Sequence, residues 1–364
     1  MDIKKVVVTG DAFFVERFQP LFKAMSTQVN LDYLPYGNLQ STRRSQSLKK
    51  FIPKFLIRPA EKLFRKNQKT FINKSQETES KIRQLEYTPD LVFHLFGLFC
   101  PFWDQYDIPY VTYLDYTMAL AERSWSAWAP FNNSKEREFW FDCERQAYSK
   151  AHHLFPMTNL VKNSLIEDYG IASEKITVVG AAGNFTEIYH GEKTFGSQQI
   201  LFNGSDFERK GGDLVLAAFK QVKRAIPNAK LVIVGKKLAA NEDGIENPGH
   251  IASASQMRDL FLSTDLVVAP AYCEPFGHFL VEAMNYGVPC VVSASGGMPE
   301  IVDREVNGVV IPQPTPDILA DRIINLLSKP DLLMQMSEQA RLKIKNQLNW
   351  DTIANKIIQI STQE

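Results

Sequence analysis

The sequence predicts an α/β protein made of doubly wound parallel sheets, for three reasons. Apolar runs of four to six residues alternate with segments of helical period from end to end, the pattern of sheets covered on both faces by helices. The runs are apolar throughout instead of alternating, as strands buried on both faces are. The length of 364 residues favours at least two domains, each able to bury its own core. Lys5–Thr9, Leu91–Leu95, Tyr110–Leu114 and His153–Pro156 are the predicted strands of a first domain. Gln199–Phe202, Lys230–Gly235, Leu266–Ala269, Pro289–Val292 and Gly308–Ile311 are those of a second. The switch falls in Val178-Val-Gly-Ala-Ala-Gly-Asn184, read as a strand running into small residues able to act as a hinge. The expected domains are 1–180, with a basic helical insertion at about 41–86, and 181–345. In the last segment, 346–364, Trp350, Ile353, Ile357 and Ile358 recur at helical spacing.

The formal net charge is zero but unevenly spread. Ser41 to Arg83 holds thirteen Lys or Arg against three acids, so the remainder carries the balancing negative charge. Phe51, Ile52, Phe55, Leu56, Ile57, Leu63, Phe64, Phe71 and Ile72 are interleaved with these cations. Two readings stand side by side: a segment lying on an anionic membrane surface, and a solvated helical face or insertion. The segment matches no nucleic-acid-binding module, so no nucleic acid partner is expected. The longest apolar stretch, Leu91–Trp103, is too short to span a bilayer and contains His94, Gly97 and Pro101, so it reads as a buried strand and its loop. Met1–Gly10 has too short an apolar core for a signal peptide, which makes a cytoplasmic location the expectation, with peripheral attachment to the inner membrane face as its variant. Cys100, Cys143, Cys273 and Cys290 lack Cys-x-x-Cys spacing and read as reduced, buried thiols.

The most informative spacing is in Cys273-Glu-Pro-Phe-Gly-His-Phe-Leu-Val-Glu-Ala-Met-Asn-Tyr-Gly-Val-Pro-Cys290. Ligands of open α/β sheets bind at the carboxyl ends of strands, and Asp265–Ala269 delivers Glu274 to such an edge. Glu282 follows eight residues later, about 800° of helical rotation, so that both carboxylates are expected to line one crevice. Two acceptors at different depths suit a polyhydroxylated ligand.

This segment resembles the Glu-x7-Glu signature of the retaining family 4 glycosyltransferases, with Phe276, Gly277, Glu282, Ala283, Gly287 and Pro289 at matching positions. Phe202-Asn-Gly-Ser-Asp-Phe-Glu-Arg-Lys-Gly-Gly-Asp-Leu214 is similar to that family's diphosphate-holding turn, and Gly296-Gly-Met-Pro-Glu-Ile-Val302 to its Gly-Gly-x-Pro-Glu element. The resemblance runs from about 175 to 330 and fades before about 90. It implies the GT-B fold, two Rossmann-like domains facing across a cleft, with the last helix crossing back to the first. It also implies a metal-independent transferase of polysaccharide biosynthesis that moves a sugar from a UDP- or GDP-linked donor to a hydroxyl of a glycan or lipid-linked acceptor. No further cofactor is implied. The alternatives are an epimerase or hydrolase of the same fold, and a non-catalytic sugar-nucleotide-binding scaffold.

The site residues follow from the resemblance. Arg209 and Lys210 are placed to neutralise the donor diphosphate, with Gly204 at the turn and the helix from Asp213 to Lys223 offering N–H groups. Glu274 is expected at the donor sugar, Glu282 at the ribose hydroxyls, and the N–H groups of Phe276 and Gly277 at the sugar or leaving phosphate. Base recognition is expected after Gly235 and around His250 and Ile251. His278 stands where the family has an aliphatic residue and reads either as a packed side chain or as a donor-selectivity residue. No Asp-x-Asp occurs, so no metal is expected and cations take its place. On the acceptor side, Gly10 and Asp11 follow the first strand, and Asp115 replaces the family's His. Asp115 reads equally as an acceptor-binding base and as a helix N-cap. The aromatic cluster Trp125, Trp128, Phe131, Phe139, Trp140 and Phe141 reads as core.

Overall fold

The computed structural model describes residues 3–37, 66–185, 187–238 and 242–362. The chain divides into two units, Met1–Gly180 with Ile353–Glu364, and Ala181–Thr352. It therefore returns to the first unit inside its last helix, at residue 353 and not at 346.

The first unit holds a five-stranded parallel sheet in the order β2-β1-β3-β4-β5. Its strands are β1 (Lys5–Asp11), β2 (Asn30–Tyr36), β3 (Leu91–Leu95), β4 (Tyr110–Leu114) and β5 (His153–Pro156). The four predicted strands are these without β2, whose sequence alternates polar and apolar residues and contains Pro35. It lies at the sheet edge, where a missing N–H is tolerated and one face stays wet. Within the sheet, His94 is buried and neutral: burial pulls its pKa down to about 4. Its Nδ1 accepts from the Thr9 hydroxyl and its Nε2 donates to the Phe99 carbonyl, both at 2.8 Å.

Around the sheet run α1 (Ala12–Arg17), α2 (Gln19–Met25), α3 (Gln68–Arg83), α4 (Met118–Ser124), α5 (Ser134–Lys150) and α6 (Asn159–Glu167). Of the basic segment, residues 41–65 lie outside the described residues. The remainder forms α3, N-capped by Asn67, and it packs: Phe71, Ser75, Thr78, Glu79 and Ile82 are buried. Glu79 receives the N–H groups of Trp103, Asp104 and Gln105 at 2.7, 2.9 and 3.0 Å, which fastens the loop after β3. No described helix is long and apolar enough to cross a membrane. The aromatic cluster departs from expectation, because only Trp140 is buried while Trp125, Trp128, Phe131, Phe139 and Phe141 are half-buried on α5 and the turn before it. All four cysteines are free and buried.

The second unit holds a six-stranded parallel sheet, β11-β10-β9-β6-β7-β8. The strands are β6 (Gln199–Asn203), β7 (Lys230–Val234), β8 (Ile245–Gly249), β9 (Leu266–Ala269), β10 (Cys290–Ser293) and β11 (Gly308–Ile311). The unpredicted one, β8, reads Ile-Glu-Asn-Pro-Gly and is again an edge strand, with a register irregularity against β7. The helices are α7 (Gly212–Ala225), α8 (Ala254–Ser263), α9 (His278–Asn285), α10 (Met298–Ile301), α11 (Pro316–Leu327), α12 (Pro330–Asn346) and α13 (Trp350–Thr362). Phe202, Val215, Phe219, Ile233, Val268, Leu319 and Met336 belong to one core cluster beneath α7 and α11. No strand forms at Val178: Ile176 makes a single bridge to Leu154, and the small residues that follow offer too little apolar surface to hold a strand.

Candidate functional site

Three loops meet at the carboxyl edge of the second sheet, and backbone close approaches hold them. After β6, turns formed by Lys210 N–H to Asp206 O and Gly212 N–H to Phe207 O lead into α7. Gly211 has φ +75°, and a Cβ there would lie 2.4 Å from the Pro270 carbonyl oxygen, so this loop sits directly against the end of β9. After β10, Gly296 has φ +58° and its Cβ would lie 1.7 Å from the Glu274 oxygen, while Gly297 N–H donates to that oxygen at 3.0 Å. The first glycine of the Gly-Gly pair in the third block is thus required by the chain that carries Glu274, whereas Gly297 has ordinary helical geometry.

The same packing gathers the charged groups. Arg209 is buried; its Nε donates to Asp206 Oδ2 at 2.7 Å, and one terminal nitrogen donates to the Cys273 carbonyl and stands 3.4 Å from Glu274 Oε2. Burial works against its charge, but the Glu274 and Asp206 carboxylates outweigh it and raise the guanidinium pKa. Lys210 Nζ lies 3.9 Å from the same Glu274 oxygen. Two cations therefore converge on one carboxylate at a strand-end edge, an arrangement that a diphosphate can enter by taking over the cations.

Glu274 and Glu282 do not share a helix. Glu274 lies in the loop between β9 and α9, which starts only at His278 behind an N-cap Gly277 with φ +113°, so the rotation argument does not apply. Glu282, in the second turn, accepts the Asn184 N–H at 2.9 Å, whereas Glu274 faces the cations. His278 Nδ1 donates to the Ala182 carbonyl at 2.8 Å, so this side chain is committed to a backbone contact. The Phe276 side chain is buried in the core, leaving its backbone at the helix entrance. Gly204 takes ordinary backbone geometry and extends the β6–β7 ladder through Val234 O at 2.8 Å, with Ile233 Cγ2 3.1 Å from where a Cβ would stand. It is packed glycine, not a left-handed turn. Gly235 N–H bonds Gly249 O at 2.8 Å; His250 is exposed and Ile251 half-buried just beyond.

In the first unit, Gly10 has φ +136° and abuts Leu95, and Asp11 caps α1 through Phe13 N–H at 3.1 Å. The cap of α4 is Thr117 and not Asp115: its hydroxyl receives Leu120 N–H at 3.2 Å. Asp115, half-buried, directly follows β4. Among the described residues, no group of three His, Cys, Asp or Glu is arranged to hold a metal. Sequence reasoning missed Asp206, which orients Arg209 from three residues before it, and Asn285, whose side chain bonds Tyr189 N–H at 3.2 Å. The first has a spacing signal on a tight turn; the second has none, because its partner is 96 residues away.

Residues 187–343 match the family described as Glycosyl transferases group 1. D-inositol 3-phosphate glycosyltransferase of Segniliparus rotundus is 26% identical over 241 residues, 59% of this chain and 53% of that one. The chain thus spans about half the length of the curated relatives it matches. Among solved structures, sucrose-phosphate synthase from Thermosynechococcus elongatus superposes with a TM-score of 0.72 at 16% identity, covering 99% of this chain and 98% of that one. HepE of Anabaena, solved in complex with UDP and glucose, superposes at 0.63 and 14% identity over 100% of both chains. At such identities the superpositions speak for the fold alone. The chain has the GT-B fold, and its residues 187–343 match the model of the group 1 glycosyl transferases.

Proposed function

We propose that the chain is a retaining, metal-independent glycosyltransferase that moves a sugar from a nucleoside diphosphate sugar to a hydroxyl of a glycan or lipid-linked acceptor. The observation that carries the reading is the convergence of Arg209 and Lys210 on Glu274 at the strand-end edge of the second sheet. In this reading the cations take the two phosphates and neutralise them as the diphosphate leaves, the work a divalent metal does elsewhere. Glu274 is then released to accept hydroxyls of the donor sugar and to favour positive charge developing at the anomeric carbon. Glu282 takes the ribose hydroxyls. The leaving phosphate helps to deprotonate the acceptor, so no protein nucleophile is required. Acceptor binding falls to the first unit, with Asp115 and the Gly10–Asp11 loop at the ends of their strands. The basic segment 41–83 is proposed to attach the protein peripherally to an anionic membrane, where a lipid-linked acceptor would be presented.

A thermal-shift and hydrolysis screen with UDP, GDP, ADP and their sugar conjugates, with and without EDTA, tests the donor site. Bound ligand at 100 times its dissociation constant stabilises by about 2.7 kcal/mol. One nucleotide is expected to stabilise the protein in EDTA and to lose that effect in Lys210→Ala. Donor consumption without an acceptor would favour the epimerase or hydrolase reading, and the absence of any shift would favour a scaffold.

A further inference from the structure

His278, Glu282 and Asn285 stand at positions i, i+4 and i+7 of α9, one face of the helix. Each is bonded to the backbone of a single segment, 182–189. His278 Nδ1 donates to Ala182 O at 2.8 Å, Glu282 Oε1 accepts Asn184 N–H at 2.9 Å, and Asn285 joins Tyr189 N–H at 3.2 Å and Glu187 O at 3.4 Å. Between the first two, Trp350 Nε1 donates to Gly183 O at 2.9 Å. A Cβ on Gly183 would lie 2.5 Å from Glu282 Cγ, so the segment runs flush against the Glu282 side chain. Three consecutive residues, 182 to 184, are thus each tied by a different side chain. The segment is thus held by α9 on two of these residues and by Trp350 on the third.

We propose that His278 is a positioning residue for the donor site. By fixing the Ala182 carbonyl it keeps Asn184 N–H on Glu282 and so sets the aim of that carboxylate. The ribose part of this inference rests on the function proposed above; the tie between His278 and Glu282 does not. A free Glu side chain samples several rotamers, and a fixed N–H partner removes that freedom before the ligand arrives. His278 acts through Glu282 and not on phosphate, so its loss is expected to weaken ligands that carry ribose and to spare those that do not.

The test uses His278→Leu, which deletes the donor, and His278→Asn, whose amide nitrogen replaces Nδ1. UDP, GDP and inorganic pyrophosphate are titrated by calorimetry, and amide hydrogen exchange is followed at Asn184. His278→Leu is expected to weaken nucleoside diphosphate binding about fivefold or more, leave pyrophosphate within about twofold and speed exchange at Asn184, with His278→Asn restoring all three toward wild type. Equal weakening of nucleotide and pyrophosphate would reduce His278 to a structural role and overturn the inference, as would unchanged nucleotide affinity. Failure of UDP and GDP to bind the wild type would remove the donor reading instead. Exchange at Asn184 then decides the tie alone, and an unchanged rate in His278→Leu overturns it.

Discussion

The edge of the second sheet and the interior beneath β4 of the first handle charge in opposite ways. At the edge, the Glu274 side chain is 18% exposed and faces two cations, so charge meets charge where a ligand can exchange for it. Beneath β4, Glu144 on α5 is buried and takes neutral donors: the Tyr169 hydroxyl, and Met118 N–H at 3.4 Å. Lys66 reaches the same residue from outside, with Nζ 3.4 Å from Met118 Sδ and 2.6 Å from the Trp128 carbonyl. Burial pushes the Glu144 carboxyl up to about 7, and it pulls Lys66 down to about 8 against the pull of Glu144 and Asp115. The difference is one of solvent. Paired charges at an open edge remain available, whereas burial works against the charged forms of Glu144 and Lys66, and Glu144 holds the start of α4 directly after Asp115.

The largest expected effect comes from closing the edge. Gly296→Ala forces a left-handed residue and a backbone overlap with Glu274, a strain on the order of 1–3 kcal/mol or more, and the resulting displacement of Glu274 is expected to cut transfer about a hundredfold. Sugar transfer and thermal unfolding of the purified variant measure both effects; near-normal transfer would show that the Glu274 loop does not govern the site.

A smaller effect is expected from the buried cluster, and it depends on pH. The folded-state pKa of Glu144 is raised from 4.5 to about 7, so between those values the folded protein retains a proton that the unfolded chain has released. The stability contributed by Glu144 is therefore present below about pH 4.5 and lost as pH rises through about 7. Glu144→Gln is expected to remove this fall: the difference in unfolding midpoint between wild type and variant should change across the window and level off above it. A pH-independent difference would mean that Glu144 is not held protonated. The Lys66 charge holds the Glu144 carboxyl below where burial alone would put it, and Glu144 in turn raises Lys66, so Glu144→Gln is also expected to lower the Lys66 pKa.

The smallest effect calibrates the other two. Arg145 and Asp142 pair at 2.6 Å with both side chains well exposed, and Arg145→Ala is expected to change stability by less than about 0.5 kcal/mol in urea unfolding. A loss of several times that would imply that surface pairs on α5 support the buried cluster below.

Much of the second unit was legible because its chemistry is local in the chain. The runs at Leu266–Ala269 and Gly308–Ile311 are apolar from end to end since both faces of a parallel sheet are covered, and the loops that follow carry their glycines and charges within a few residues. The edge strands β2 and β8 escaped because Pro35 and Pro248 and their polar neighbours are permitted only where one side has no partner. The sequence by itself determined two parallel-sheet units and the three loops that carry Arg209, Lys210, Glu274 and the Gly296–Gly297 turn. Only the tertiary structure decided that Arg209 and Lys210 converge on Glu274, that Glu282 and His278 hold the 182–184 segment, and that Glu144 and Lys66 meet at Met118. Those contacts join residues from 26 to 98 positions apart, and no local periodicity reports which distant groups share a buried space.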